Sequence, residues 1–203
     1  FFNSGQVCIA GSRVYAHRQV FDELLEGLAT QAGEWKLGAS LAEGTQMGPL
    51  VSAEQRARVG SYIEAGRKAG ASVVAGGNVS GADSSYFVQP TVLANVTPDM
   101  SVVREEIFGP VVVAQRFDDL DEVVAAANDT ELGLAASIWT KDLSAMHRLA
   151  SRVKAGIVWG NCHALIDPAL PFGGFKQSGL GREGGRSGID AYTEEKTVII
   201  NLA

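Results

Sequence analysis

Two cysteines, three histidines and a carboxylate pair set beside an aromatic are the places where this 203-residue sequence could do chemistry. A thiolate is the strongest ordinary side-chain nucleophile, so the cysteines come first. Cys8 lies in Asn3-Ser4-Gly5-Gln6-Val7-Cys8-Ile9-Ala10-Gly11, where Gly5 and Gly11 permit tight turns and small or polar neighbours leave the sulfur approachable. That setting suits an exposed thiol; a small buried hydrophobe is the plainer alternative, and local composition does not separate the two. Cys162, between Asn161 and His163, reads rather as a cysteine at a strand end packed under a loop. A protease-type dyad would need His17, His147 or His163 near a thiol, and His147 on a helix and His17 at a strand end read as surface positions. No metal site is expected, because neither C-x-x-C nor H-x-x-x-H spacing occurs.

Gly179-Leu180-Gly181-Arg182-Glu183-Gly184 satisfies the dinucleotide fingerprint G-x-G-x-x-G, but that motif has meaning only after a strand and with an acidic residue about 20 positions further on. A glycine-rich loop precedes it here and the chain ends too soon, so it reads as a loop before a helix. Arg104-Glu105-Glu106-Ile107-Phe108-Gly109-Pro110-Val111 places two carboxylates beside an aromatic and a turn, just ahead of a strand. By local pattern alone this is a surface pair with Phe108 in the core.

The elements that must position these groups follow from periodicity. Phe21, Leu24, Leu25 and Leu28 recur at i, i+3, i+4, i+7 and predict a helix ending near Gly33. Ser52 followed by Gln55 is a capping box opening a helix over 52–70 with a Val59, Tyr62, Ile63 stripe. Residues 14–16 read as a short strand and 71–75 as a buried one, followed by a polar loop over 76–85; extended runs follow at 87–96 and 111–117. From Asp118 the pattern is helix (Leu120, Val123, Val124, Ala127), strand 134–140, helix 142–153, strand 156–159, which reads as βαβ twice over. A glycine-rich ordered loop over 171–188 then leads to a short helix, and the run Thr197, Val198, Ile199, Ile200, Asn201, Leu202 is a terminal strand whose edge a partner chain would cover. The expected fold is α/β, a mostly parallel open sheet with helices on both faces.

Composition narrows the function classes. With 17 Lys+Arg against 23 Asp+Glu, a net charge of -6 and pI ≈ 5.1, no basic stretch suits a nucleic acid. At 46% hydrophobic and 20% charged residues the chain can bury a sizeable core, and its length fits one domain of about 100–200 residues. The densest apolar run, 107–114, is interrupted by Gly109 and Pro110 and falls short of the roughly 18 residues a membrane span needs. Two cysteines are too few for a disulfide scaffold, which favours a reducing, cytoplasmic setting. The start at Phe1 without a Met or a signal pattern reads as a cut.

Three motifs taken together resemble the NAD(P)-dependent aldehyde dehydrogenases over the whole chain: Phe1-Phe2-Asn3-Ser4-Gly5-Gln6-Val7-Cys8, Glu105-Glu106-Ile107-Phe108-Gly109-Pro110 and Pro171-Phe172-Gly173-Gly174-Phe175-Lys176-Gln177-Ser178-Gly179. The resemblance implies Cys8 as the nucleophile, Glu106 and Phe108 as contacts to the nicotinamide ribose and ring, and Ile9, Ile166 and Phe172 as lining of an apolar aldehyde tunnel. Gln55 and Arg58 fall where the family has further, variable cofactor contacts. It further implies a catalytic domain over 1–192, an oligomerisation strand over 193–203 acting in a homodimer or homotetramer, and NAD or NADP as cofactor, NAD being favoured. The family's dinucleotide-binding domain, its oxyanion-hole Asn and its general-base Glu precede the cysteine motif, so these 203 residues are expected to be inactive alone. Two alternatives stay open: a relative that passes the acyl group to coenzyme A, and a non-catalytic assembly or binding module that keeps the fold.

Overall fold

The computed structural model describes residues 1–79 and 85–202. They form two compact units, 1–130 and 131–203. In chain order the first unit carries β1 (Arg13–His17), α1 (Phe21–Glu34), α2 (Ala53–Lys68), β2 (Ser72–Ala75), β3 (Thr91–Ala94), α3 (Ser101–Arg104), β4 (Val111–Phe117) and α4 (Leu120–Asn128). Its sheet has the order β1-β4-β3-β2, with β1, β4 and β3 parallel and β2 antiparallel at one edge.

Strand alternation explains how helices cover both faces. On β4, Val111 and Val113 point into a cluster with Val59, Tyr62 and Ile63 of α2, Leu93 of β3 and Val102 and Val103 of α3. Ala114, on the opposite face, joins Ala16 of β1 and Phe21, Leu25 and Leu28 of α1. The predicted stripes therefore fall on core faces except at Leu24, which is exposed, and the fold is α/β with a mostly parallel sheet, as expected. Val59, Leu93 and Val113 are essentially sealed from solvent.

The helix at 52–70 begins as its motif predicts, with Ser52 Oγ accepting from the Gln55 N–H at 3.1 Å. Replacing Ser52 by Ala leaves that donor without its cap and lowers stability by about 1 kcal/mol, measurable as a shift in urea midpoint at unchanged slope. Only half of the capping box forms, however, because the Gln55 side chain goes elsewhere.

Two other expectations are corrected. The strand at 71–75 is not buried: β2 is the sheet edge, Ser72 and Val74 are exposed, and its pairing to β3 is interrupted by an irregularity between Val73 and Ala75. Part of the polar loop assigned to 76–85 lies outside the described residues.

The second unit holds β5 (Leu132–Gly133), β6 (Ala135–Ile138), α5 (Leu143–Arg152), β7 (Ile157–Gly160), β8 (Phe175–Lys176) and α6 (Gly185–Asp190). β6 and β7 run parallel across α5, one complete βαβ unit, with Asp142 capping the helix through Ser144 and Ala145 N–H. The expected second βαβ does not form, since β4 spends both edges on β1 and β3. The glycine-rich stretch leads into a short helix, but the loop expected over 171–188 is interrupted by β8 and ends earlier, since α6 begins at Gly185; the fingerprint-like 179–184 stretch is loop. A Cβ on Gly184 would press on the Leu170 carbonyl oxygen, so glycine there serves a close backbone approach. The expected terminal strand does not form among the described residues of 193–202, and Val198, Ile199, Ile200 and Leu202 stand exposed. No helix among the described residues is long and apolar enough to cross a membrane.

Candidate active site

The segment ahead of Cys8 is a left-handed turn in which Asn3, Ser4 and Gly5 have φ of 51°, 57° and 70°. Each non-glycine residue there costs on the order of 1–2 kcal/mol, so the surroundings must hold the turn in place. Ser4, buried, donates its hydroxyl to the Gly48 carbonyl at 2.8 Å. Gln6 N–H and the Asn3 amide close the turn on itself at 3.1 Å each, and Gln6 Oε1 accepts from Val51 N–H at 3.1 Å.

Cys8 follows in a second turn closed by Ala10 N–H to the Val7 carbonyl at 2.9 Å, and its thiol is exposed. Its backbone N–H meets no acceptor among the described residues. Ile9 turns the other way and is 8% exposed. The local alternatives left open by the sequence thus divide between neighbours, Cys8 taking the exposed position and Ile9 the buried one.

The acidic-aromatic segment forms the connection from α3 to β4. Ile107 is buried and anchors it, while Glu106 and Phe108 on either side are exposed, Phe108 with φ of 56°. Phe108 therefore does not sit in the core as the local pattern predicts. The Glu106 carboxylate accepts no hydrogen bond among the described residues.

Helix α2 holds this connection from one side. Gln55 Nε2 donates to the carbonyls of Ile107 at 3.1 Å and Phe108 at 2.8 Å. Arg58 Nη2 donates to the Glu106 carbonyl at 2.8 Å and to the Tyr62 hydroxyl at 3.2 Å, its guanidinium lying 5.1 Å from the Tyr62 ring centre. The Tyr62 hydroxyl donates to Glu105 Oε2 at 2.6 Å. Burial, and then the Glu105 carboxylate, push the Tyr62 phenol above its ordinary range, so it stays protonated through neutral pH.

The two segments meet backbone to backbone. A Cβ on Gly5 would sit on the Gly109 carbonyl oxygen, and one on Gly109 would sit on Val59 of α2. Cysteine turn, acidic-aromatic turn and α2 are thus stacked in one contact, a placement that no local spacing announces. Ser4, Gln6, Tyr62 and Glu105 take part without a role having been read for them from the sequence, where Tyr62 stood only in the helix stripe and Glu105 only in the carboxylate pair; Gln55, Arg58 and Tyr62 at i, i+3, i+7 share one helix face.

In the second unit, Ile166 is exposed and Phe172 half-buried, on the loop that follows β7. Trp159 Nε1 donates to the Leu165 carbonyl at 2.8 Å, and His163 packs edge-on to Trp159 and contacts Ser137 Oγ through Nδ1 at 2.6 Å. Phe172 and Glu183 exchange both backbone hydrogen bonds. Cys162 is partly buried. An open hollow of ≈ 460 Å³ lined by Trp139, Thr140, Lys141, Leu143, Met146 and Asn161 contains none of the residues singled out from the sequence.

An exposed thiol with a free N–H beside it, backed onto a turn that presents a free carboxylate and an aromatic ring, defines a thiol-centred site with polar and planar contacts at hand. The chain belongs to the aldehyde dehydrogenase family, whose sequence model matches residues 1–198. It is 50% identical over 201 residues to DhaS of Bacillus subtilis (strain 168), spanning 99% of this chain and 40% of that protein. It is 45% identical over 205 residues to the betaine aldehyde dehydrogenase of Brucella anthropi, covering 100% of this chain and 42% of the relative. Among solved structures, the NAD+ complex of aldehyde dehydrogenase from Bacillus cereus superposes with a TM-score of 0.96 at 49% identity, over 100% of this chain and 41% of that one. The chain thus spans about two fifths of the length of these relatives.

Proposed function

We propose that this chain is the nucleophile-bearing part of an NAD(P)-dependent aldehyde dehydrogenase that oxidises an aldehyde to its acid. The exposed Cys8 thiol with its unengaged N–H carries the proposal. The Cys8 thiolate attacks the aldehyde carbon, and the carbonyl electron pair moves to oxygen. The Cys8 N–H, joined by a side-chain amide, stabilises that oxyanion. The carbonyl re-forms as the carbon gives up its hydrogen with the electron pair, leaving a thioester on Cys8. A water activated by a carboxylate base then releases the acid and restores the thiolate, so one hard step becomes two easier ones.

The residues present fit a nicotinamide dinucleotide. An unengaged carboxylate such as Glu106 can accept from two vicinal ribose hydroxyls, and the exposed Phe108 ring offers an apolar face to a planar heterocycle. When bound, NAD(P)+ supplies the acceptor for the hydrogen and its electron pair, NAD being the favoured form. The aldehyde is assigned as aromatic or medium-chain rather than short and polar; Ile9, expected to line its approach, is buried and offers it no wall. The oxyanion-hole amide and the general base are assigned outside these residues, so the 203-residue chain alone is inactive while its Cys8 remains open to alkylation.

The test is dinucleotide reduction by the full protein against an aldehyde panel, with product analysis. Free acid, and faster turnover of apolar aldehydes, support the proposal. A coenzyme A thioester as the sole product, or no reduction with any aldehyde, overturns it.

The exposed apolar run at 197–202 is assigned to a second copy of the chain, as the strand that joins a homodimer or homotetramer. Removing residues 197–202 is expected to convert the oligomer to monomer in light scattering; an unchanged mass contradicts the assignment.

A further inference from the structure

We infer that Tyr62 and Glu105, together with Arg58 and Gln55, form a positioning device that sets Glu106 and Phe108 for the dinucleotide, an inference resting on the cofactor assignment just made. Four consecutive residues of the connection, Glu105 to Phe108, are tied to one face of α2. Glu105 is held through its carboxylate by the Tyr62 hydroxyl, and Glu106, Ile107 and Phe108 through their carbonyls by Arg58 and Gln55.

Such dense anchoring has a physical reason. Phe108 is a bulky residue at φ 56°, a conformation that relaxes toward the extended region unless several contacts oppose it. Backbone carbonyls on an exposed loop are normally satisfied by water; here side chains reach three in a row, and with the Glu105 carboxylate also held they fix the backbone from which Glu106 and Phe108 project. Arg58 is itself held, because its guanidinium spans the Glu106 carbonyl and the Tyr62 hydroxyl while lying against the Tyr62 ring. Tyr62 is anchored by Glu105 and by its place in the core cluster. The rigid end of the device is thus the hydrophobic core and the free end is the Glu106–Phe108 pair, with neither Tyr62 nor Glu105 required to touch the ligand. The cost of losing the Tyr62–Glu105 bond therefore appears as weaker dinucleotide binding, not as a slower step at Cys8.

The experiment compares Tyr62→Phe, Glu105→Ala, the double variant, Glu105→Gln and Glu106→Gln in the full protein. Tyr62→Phe and Glu105→Ala are expected to raise KM for the dinucleotide about fivefold, the scale of one hydrogen bond, with kcat and aldehyde KM changed less than about twofold. The double variant should be no worse than either single one, and Glu105→Gln, whose amide oxygen still accepts, should stay near wild type. Amide exchange over 105–109 without dinucleotide should accelerate in Tyr62→Phe. If Glu106→Gln weakens the dinucleotide while Tyr62→Phe changes neither exchange nor KM, the positioning role is overturned and the cofactor assignment stands. If neither Glu106→Gln nor Tyr62→Phe moves dinucleotide KM, the cofactor assignment itself fails and takes this inference with it.

Discussion

Replacing Cys8 by Ala is expected to lower aldehyde-dependent NAD(P)H formation by about 10⁴-fold or more, the scale seen when a covalent nucleophile is removed, while leaving dinucleotide binding intact. The size follows from the role: without sulfur no thiohemiacetal or thioester can form, and the aldehyde carbon keeps its hydrogen. Structural damage should be slight, because Cys8 is exposed and its turn is closed by the Ala10 N–H rather than by the thiol. Titration calorimetry with the dinucleotide and a thermal melt separate a chemical loss from a folding one. A Cys8→Ala variant that keeps more than about a tenth of the activity would remove Cys8 from the reaction.

The second large effect concerns Gly5. An Ala there must adopt φ 70°, costing on the order of 1–2 kcal/mol, and its methyl must displace the Gly109 backbone, which overpacking data place at another 1–3 kcal/mol. Backbone cannot swing aside as a flexible side chain can, so the cysteine turn and the Glu106–Phe108 turn should separate. Expected are a loss of about 3 kcal/mol in urea unfolding and, at temperatures where the protein is still folded, a raised dinucleotide KM together with a lower kcat. Gly11, three residues beyond Cys8, is the control: its Cβ would meet nothing within 4 Å, and Gly11→Ala should behave as wild type.

Much of this was legible in the sequence, and the failures share a cause. The stripe on α1, the Ser52 cap and the parallel pair flanking α5 are local or nearly local patterns, fixed by helical period, one side-chain acceptor and a short crossover. Cys8 stood out because two glycines and small neighbours surround a thiol. By contrast Val73 and Val74 look buried by residue type, yet strand order puts them on an edge, and strand order is a global property. Gln55 satisfied a local motif while its amide served carbonyls 52 and 53 positions away. Tyr62 and Glu105 are 43 apart, and nothing in either one's surroundings names the other. The Gly5–Gly109 contact was invisible for the same reason, since two glycines tell where a chain can come close but not to what. Phe108 was misplaced because an aromatic before Gly-Pro usually belongs to a core; Ile107 took that place instead.

The central claim is that aldehyde oxidation passes through a covalent adduct on Cys8. It is tested most directly by mixing the full protein with aldehyde and NAD(P)+, quenching in acid within a single turnover and mapping the peptides by mass. The mass increase of the acyl group is predicted on the peptide holding Cys8 and nowhere else, dependent on the dinucleotide and lost in Cys8→Ala. An acyl group found on Cys162, or full dinucleotide reduction with no acylated peptide at any quench time, would contradict it.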